Sequence, residues 1–341
     1  MHIIETAIRA NIPILVVGEP GTGKTSSIEA LCRRNGWPYE VIIAGIREPC
    51  DFLGLAVARN DRTEWLPPDW AISLSARAQK HGCGVLVLDE ISCAPPTVQA
   101  ALLRVIQERV VGSHRLAPEI AIIAIANPAE QAAGGWDLAA AMANRFIHYR
   151  WRLDYEKWCE GMICGWGNSK RVTSAHALVA SFIHHKPGLL LQVPNDPHSQ
   201  SQAWPSPRTW EAAACLINVC TSDETIADIV ASSVGPGPAL EYCSWAKQRD
   251  LPDPVKLLAG EGELPSRGDR LYSALASTIA VVAQAPEERW ILGWRVLNRV
   301  SKKQLDIAAA AARALVHIRP AGAEAPKEAE RFYPLVYPKG D

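Results

Sequence analysis

The chain has 341 residues, of which 48% are hydrophobic and 21% are charged. This composition supplies enough apolar material for about two folded domains and excludes a largely disordered chain. The 35 basic and 36 acidic residues leave a formal net charge of −1. No overall positive field is therefore available to hold a nucleic acid through its phosphates alone.

The nine cysteines form no Cys-x-x-Cys pair, which argues against a zinc or dithiol site and favours reduced cysteines packed as small hydrophobic residues. The first residues lack the basic and apolar regions of a signal peptide. The longest apolar runs, such as residues 120–126, are far shorter than the ~20 residues of a membrane-spanning helix. We therefore expect a cytoplasmic protein without a membrane segment.

Short apolar runs alternate with helical segments over residues 1–152, which predicts a parallel sheet flanked by helices. The predicted strands are residues 14–17, 41–44, 85–88, 120–126 and 146–149, and the predicted helices are 25–34 and 96–109. Apolar residues recur at three-to-four spacing in the second helix, so one of its faces should be buried.

Strand-like runs disappear beyond residue 152, and helical segments predominate. These segments are residues 210–220, 271–283, 289–300 and 304–318, separated by loops rich in Pro and Gly at 193–207, 234–238 and 260–268. We predict an α/β nucleotide-binding domain at 1–152, an all-helical domain at 153–319 and an extended, proline-rich C-terminal arm at 320–341.

A phosphate-binding loop follows the first predicted strand and precedes the first predicted helix, which is the context that its pattern requires. The loop reads Gly18, Glu19, Pro20, Gly21, Thr22, Gly23, Lys24 and Thr25. Its glycines allow backbone N–H groups to surround a phosphate at a helix N-terminus. Lys24 supplies a positive charge to the terminal phosphates, and Thr25 offers its hydroxyl to Mg²⁺.

The apolar run 85–88 ends in Asp89 and Glu90. A strand that ends in two acids places the first carboxylate at the carboxyl edge of the sheet, where Asp89 would hold the hydrated Mg²⁺. Glu90 would then activate a water as a general base against the γ-phosphate. This pair indicates hydrolysis rather than phosphoryl transfer to a second substrate.

Together these motifs resemble the P-loop NTPases called AAA+ ATPases, in particular their MoxR-like, dynein-related branch. Residues 89–96, 98–103 and 107–109 are similar to the segment that follows the catalytic acids in that branch. Residues 125–128 resemble the end of its sensor-1 strand, 136–138 and 144–146 its arginine-finger segment, and 205–208 the start of its sensor-2 helix in the helical lid.

The resemblance implies roles for three further residues. Asn127 would orient the attacking water, Arg145 would act as an arginine finger on the nucleotide of a neighbouring subunit, and Arg208 would contact its own subunit's nucleotide from the lid. It also implies ATP and Mg²⁺ as cofactors. The expected assembly is a homo-oligomer, a hexameric ring, that remodels a protein partner such as a von Willebrand factor A-domain protein.

Two segments, residues 55–66 and 110–116, have the pattern of β-hairpins with polar turns. By the same resemblance they would face a ring pore or a partner, and the alternative is that they are surface loops without contacts. Since 17 residues precede Gly18, we expect no separate N-terminal recognition domain.

Two other functions are left open. The first is a nucleic-acid translocase or restriction-type motor subunit on the same core, which the near-neutral charge does not favour. The second is a P-loop kinase or a nucleotide switch, which the Asp89-Glu90 pair and the lack of an Asn-Lys-x-Asp motif argue against.

Overall fold

The computed structural model describes residues 1–59, 61–128, 136, 138–167, 172–247 and 250–336. The chain divides into two compact units, Met1–Leu153 and Asp154–Asp341. Within the described part of the chain, no helix combines the length and the apolar character needed to cross a bilayer.

The first unit is built on a five-stranded parallel sheet with the strand order β2-β5-β8-β1-β9. Its strands are β1 (Ile14–Val17), β2 (Tyr39–Ile43), β3 (Leu55–Arg59), β4 (Arg62–Leu66), β5 (Gly84–Asp89), β6 (Val110–Val111), β7 (His114–Arg115), β8 (Ile120–Ala126) and β9 (Ile147–Arg150). Its helices are α1 (His2–Arg9), α2 (Lys24–Asn35), α3 (Cys50–Leu53), α4 (Asp69–His81), α5 (Pro96–Glu108) and α6 (Ala140–Ala143).

Helices cover both faces of this sheet, and each face has its own apolar core. One core includes Leu86, Ile122 and the buried face of α5, whereas the other includes Ile14, Val87 and Ile28 of α2. All seven residues of the central strand β8 are buried, as expected for a strand in a parallel sheet covered on both sides. The predicted α/β fold is therefore confirmed.

The two predicted hairpins are present and pack against each other. Strands β3 and β4 pair antiparallel from Leu55–Leu66 to Arg59–Arg62, and β6 pairs with β7. The backbone N–H of Ser113 donates a 3.0 Å hydrogen bond to the carbonyl of Trp65. The hairpins are therefore joined to each other through backbone atoms.

The second unit is helical, and its described residues contain no strand. Its helices are α7 (Tyr155–Cys164), α8 (Ser174–His185), α9 (Pro197–Gln200), α10 (Pro207–Val219), α11 (Asp223–Val234), α12 (Pro236–Lys247), α13 (Pro254–Leu258), α14 (Gly268–Gln284), α15 (Pro286–Asn298), α16 (Leu305–His317) and α17 (Tyr333–Val336). Helix α14 is buried along most of its length, and Trp210 and Trp294 are fully buried. These tryptophans are core residues.

Two local predictions are wrong. Residues 234–238 are not a loop, because α11 ends at Val234 and α12 begins at Pro236; proline is tolerated in the first turn of a helix, where its missing N–H is not needed. The C-terminal segment is not extended throughout, because Lys327–Phe332 forms a 3₁₀ helix that leads into α17. Phe332 is fully buried, with its ring centroid 6.0 Å from that of Trp294.

Candidate functional site

The candidate site lies at the carboxyl edge of the parallel sheet. Strand β8 lies between β5 and β1, and its Ala126 pairs with Val17 of β1 while its Ala124 pairs with Leu88 of β5. The chain segments that leave these three strands therefore begin beside one another. They carry the phosphate loop, the acidic pair and Asn127, and this edge is the usual ligand-binding edge of an open α/β sheet.

The phosphate loop depends on its glycines. Gly21 and Gly23 have φ angles of +72° and +78°, a left-handed conformation that residues with a Cβ rarely adopt. The hydroxyl of Thr22 donates a 2.7 Å hydrogen bond to the carbonyl of Glu19 and closes the loop. Gly23 is the N-cap of α2, and no described side chain caps this helix. Its first N–H groups are thus suited to an anion.

Lys24 is almost fully buried inside the loop, with 7% of its surface exposed. Its ammonium group donates to the carbonyl of Gly18 at 2.6 Å, to the carbonyl of Glu19 at 2.9 Å and to Oδ1 of Asn127 at 3.0 Å. A buried charge is costly unless it is hydrogen-bonded. These contacts meet that requirement, and they join the phosphate loop to the end of β8.

Thr25 and Asp89 form the second connection across the site. The Thr25 hydroxyl donates a 2.7 Å hydrogen bond to Oδ2 of Asp89, and the other carboxylate oxygen accepts from the backbone N–H of Glu90 at 2.9 Å. A hydroxyl and a carboxylate are hard oxygen donors of the type that Mg²⁺ takes, with nucleotide phosphates and waters as its remaining ligands. No group of three or more His, Cys, Asp or Glu in the described part of the chain could hold a metal by itself.

Glu90 has a strained backbone and an exposed side chain. Its φ of +53° and ψ of 40° place a non-glycine residue in the left-handed region. Such strain costs of order 1–3 kcal/mol and is concentrated at functional positions. Burial raises the pKa of the nearby Cys93 thiol, and the negative charge of Glu90 raises it further, so this thiol stays protonated and is no nucleophile at neutral pH.

Arg145 lies away from the phosphate loop. It follows α6 and precedes β9, whose first residue, Ile147, pairs with Ile14 at the start of β1. Gly18 follows the other end of β1, about 13 Å along the strands at ~3.3 Å per residue. The Arg145 side chain is exposed, and its Nη2 donates a 3.1 Å hydrogen bond to Oε1 of Gln107. Arg145 therefore lies near the amino-terminal ends of the strands, whereas the phosphate loop of the same chain lies at their carboxyl ends.

The other predicted residues include Arg208, Trp136 and Asp137. Arg208 lies on the first turn of α10 in the second unit with an exposed side chain, and its role at a nucleotide stays a prediction. Trp136 donates its backbone N–H to the carbonyl of Ser92 at 2.8 Å. Asp137 lies outside the described residues.

Sequence reasoning missed three neighbours of the site. A Cβ on Gly18 would lie 2.7 Å from Cβ of Trp151, so close packing requires the first glycine of the loop; a tryptophan just after a strand gives no local signal of this contact. Gln99 and Gln107 hold the segment that carries Arg145. A usable signal existed for Gln99, because it is a polar residue on the apolar face of α5.

Comparison with known proteins agrees with this geometry. Residues 13–148 match the family model described as ATPase family associated with various cellular activities (AAA). These residues are therefore similar to an AAA domain. Over 139 residues the chain is 31% identical to Chaperone MoxR1 of Mycobacterium tuberculosis, which confirms the resemblance to MoxR-like AAA+ ATPases. That alignment covers 39% of this chain and 34% of the relative, so the chain spans about a third of the length of MoxR1.

Solved structures with similar folds are more distant. NtrX from Brucella abortus in complex with ATP is 15% identical, with 91% of this chain and 66% of that chain covered and a TM-score of 0.40. A RuvB mutant from Thermotoga maritima is also 15% identical, with 84% of each chain covered and a TM-score of 0.39.

Proposed function

We propose that this chain binds and hydrolyses ATP at interfaces between copies of itself, and that these copies form a ring that remodels a partner protein. The observation that carries the proposal is the hydrogen-bonded group of Lys24, Thr25, Asp89 and Asn127 at one edge of the sheet. Arg145 is exposed at the other edge. One chain thus has the groups that would bind a nucleotide, but its Arg145 lies too far from them to contact the same nucleotide.

Nucleotide binding follows from the loop. Its inward N–H groups and the N-terminus of α2 favour the negative phosphates, and Lys24 adds a full positive charge. Thr25 and Asp89 would hold Mg²⁺, which neutralises charge on the phosphate oxygens when it is bound with ATP.

Hydrolysis requires a base and an oriented water. Glu90 is an exposed carboxylate beside Asp89, and in this role it takes a proton from a water that attacks the γ-phosphate. Asn127 orients that water through its side-chain amide. Its Oδ1 already accepts from Lys24, so the amide is held beside the phosphate loop rather than free to rotate.

Arg145 supplies the missing cation in trans. An arginine finger stabilises negative charge in the transition state and contributes about 10³–10⁵ to kcat. The separation of about 13 Å along β1 is greater than an arginine side chain can span, so Arg145 does not reach the loop of its own chain. A neighbouring copy, and by extension a closed hexameric ring, provides a nucleotide for it.

A protein partner is proposed on independent grounds. The relative MoxR1 is named a chaperone, and the paired hairpins expose Leu55 and Trp65 with 62% and 47% of their surfaces accessible. Exposed apolar side chains on a surface hairpin are suited to contact a polypeptide. A von Willebrand factor A-domain protein remains our proposed partner, and the cytoplasm our proposed location.

The decisive experiment measures phosphate release per chain over a range of protein concentrations at saturating Mg²⁺ and ATP. Because each active site needs two copies, the specific activity should rise with concentration to a plateau, in step with the oligomer seen by light scattering. Arg145→Ala should lower the plateau by at least about 10³-fold, whereas its affinity for ATP is retained. Specific activity that is independent of concentration would refute shared sites.

A further inference from the structure

Helix α5 connects the acidic pair to the segment that carries Arg145. It begins six residues after Glu90, and three hydrogen bonds join residues 92–107 to residues 136–145. The backbone N–H of Trp136 donates to the carbonyl of Ser92 at 2.8 Å, and the backbone N–H of Ala139 donates to Oε1 of Gln99 at 3.0 Å. The third hydrogen bond is the one from Arg145 to Gln107.

Gln99 fixes the start of the arginine segment. Only 3% of its surface is exposed, and its Nε2 donates to the carbonyl of Ala94 at 3.1 Å while its Oε1 accepts from Ala139. A buried amide with both ends engaged holds one geometry. The segment after Ala139 is therefore tied to the turn that follows Glu90.

Gln107 acts at the other end of the segment. The backbone of Arg145 is fixed by its N–H, which donates to the carbonyl of Met142 at 3.0 Å, and by buried Met142 and Phe146 on either side. The long side chain of Arg145 is exposed and would otherwise sample many rotamers. The hydrogen bond to Gln107, two turns along α5 from Gln99, restricts it.

We propose that Gln107 is a positioning residue for the arginine finger, and that α5 with Gln99 fixes the finger to the same chain's acidic pair. This inference rests on the proposed function, because Arg145 needs positioning only if it acts on a neighbour's nucleotide. Gln107 touches neither ATP nor water in this role. It acts by keeping the guanidinium of Arg145 in the orientation that reaches across the subunit boundary, and so lowers the entropy lost in the transition state.

The first test is Gln107→Ala in the full chain. Loss of one hydrogen bond to a positioned group should lower kcat about threefold to tenfold, with KM for ATP unchanged because the phosphate loop is intact. Arg104→Ala is the matched control: Arg104 lies on the same helix and pairs with Glu108 at 3.1 Å. Its kcat should equal that of the wild type.

A second measurement separates positioning from a general structural defect. Gln107→Ala mixed with Glu90→Gln should hydrolyse more ATP than the two proteins measured separately, because the intact Arg145–Gln107 pair of one chain then faces the intact Glu90 of the other. A defect in the folding of α5 would damage the chain's own site and give no such gain.

Each outcome either supports or overturns the role proposed for Gln107. Reduced kcat with a gain on mixing supports the inference. Wild-type kcat in Gln107→Ala, or reduced kcat with no gain on mixing, overturns it while Arg145→Ala stays defective. If Arg145→Ala is as active as the wild type, the proposed function fails and this inference fails with it.

Discussion

The hydroxyl of Thr25 donates a 2.7 Å hydrogen bond to Oδ2 of Asp89, although 64 positions separate the two residues in the chain. The sheet order makes this contact possible, because only β8 lies between β1, which precedes Thr25, and β5, which ends at Asp89. The same arrangement brings Asn127 to Lys24. Two hydrogen bonds thus hold together the residues of the proposed nucleotide site.

Replacement of Lys24 by alanine should weaken nucleotide binding. It removes the charge that faces the phosphates, and hydrogen bonds to charged groups are worth about 1.5–3 kcal/mol, equivalent to roughly 10- to 100-fold in affinity. Titration calorimetry with a non-hydrolysable ATP analogue and Mg²⁺ measures this. Lys80→Ala, an exposed lysine on α4, should bind as the wild type does. Equal affinities of Lys24→Ala and the control would contradict the site.

Glu90→Gln should separate binding from hydrolysis. The amide keeps the size of the side chain but cannot accept the proton of water, so phosphate release should fall about 10²–10⁴-fold while ATP still binds. Glu108→Gln is the control, since Glu108 is an exposed glutamate on α5 that forms an ion pair with Arg104. Full activity in Glu90→Gln would show that Glu90 is not the general base.

Gly54→Ala tests whether the two hairpins depend on close backbone packing. Gly54 has a φ of +81°, and a Cβ there would lie 2.6 Å from the carbonyl oxygen of Leu66 and 2.8 Å from Cα of Gly112. Backbone atoms cannot move aside at low energetic cost, so the substitution should destabilise the first unit by about 1–3 kcal/mol. Amide hydrogen exchange should rise in residues 55–66.

Gly237→Ala provides the comparison for that substitution. A Cβ at Gly237 meets no atom within 4 Å, and the residue lies in the first turn of α12. The midpoint temperature of thermal unfolding should therefore be unchanged or slightly raised. If the two alanine variants unfold alike, the contact between the hairpins has no energetic importance.

His184 should make the helical unit sensitive to acid. Its ring stacks on Tyr272 with 3.8 Å between the ring centroids, and burial lowers its pKa below the usual 6.5. A base with a lower pKa in the folded state stabilises the fold above its unfolded pKa and loses that contribution as the pH falls through its folded pKa. The free energy of unfolding should therefore decrease below pH 6.5.

Replacement of this ring isolates the effect. His184→Phe keeps an aromatic ring against Tyr272 but cannot be protonated, so urea unfolding midpoints should depend less on pH. His185→Phe, at the exposed neighbouring position, should keep the wild-type dependence. The same pH dependence in wild type and His184→Phe would show that another group is responsible.

Much of the fold and the core of the site could be predicted from the sequence, because their signals are local. The phosphate loop and the acidic pair each follow a short apolar strand, and parallel strands bring their carboxyl ends together. Helix α4 was not predicted, since its buried positions are Ala71, Leu74, Ser75 and Ala78, and small residues give a weak periodic signal.

The contacts that orient the site were not predictable in the same way. The hydrogen bond from Arg145 to Gln107 spans 38 positions, and the packing of Trp151 on Gly18 joins the ends of two strands. These contacts depend on how α6 and β9 lie against their neighbours. No periodicity or spacing in the sequence encodes that geometry.

A mixture of Arg145→Ala with Glu90→Gln measures whether one nucleotide is shared between two chains. Each variant alone lacks one half of every site. In randomly mixed rings at equal amounts, about a quarter of the interfaces combine an intact Glu90 with an intact Arg145. If the sites are shared, the mixture should release phosphate well above the rate of either variant alone, whereas activity that stays at the mean of the two would refute shared sites.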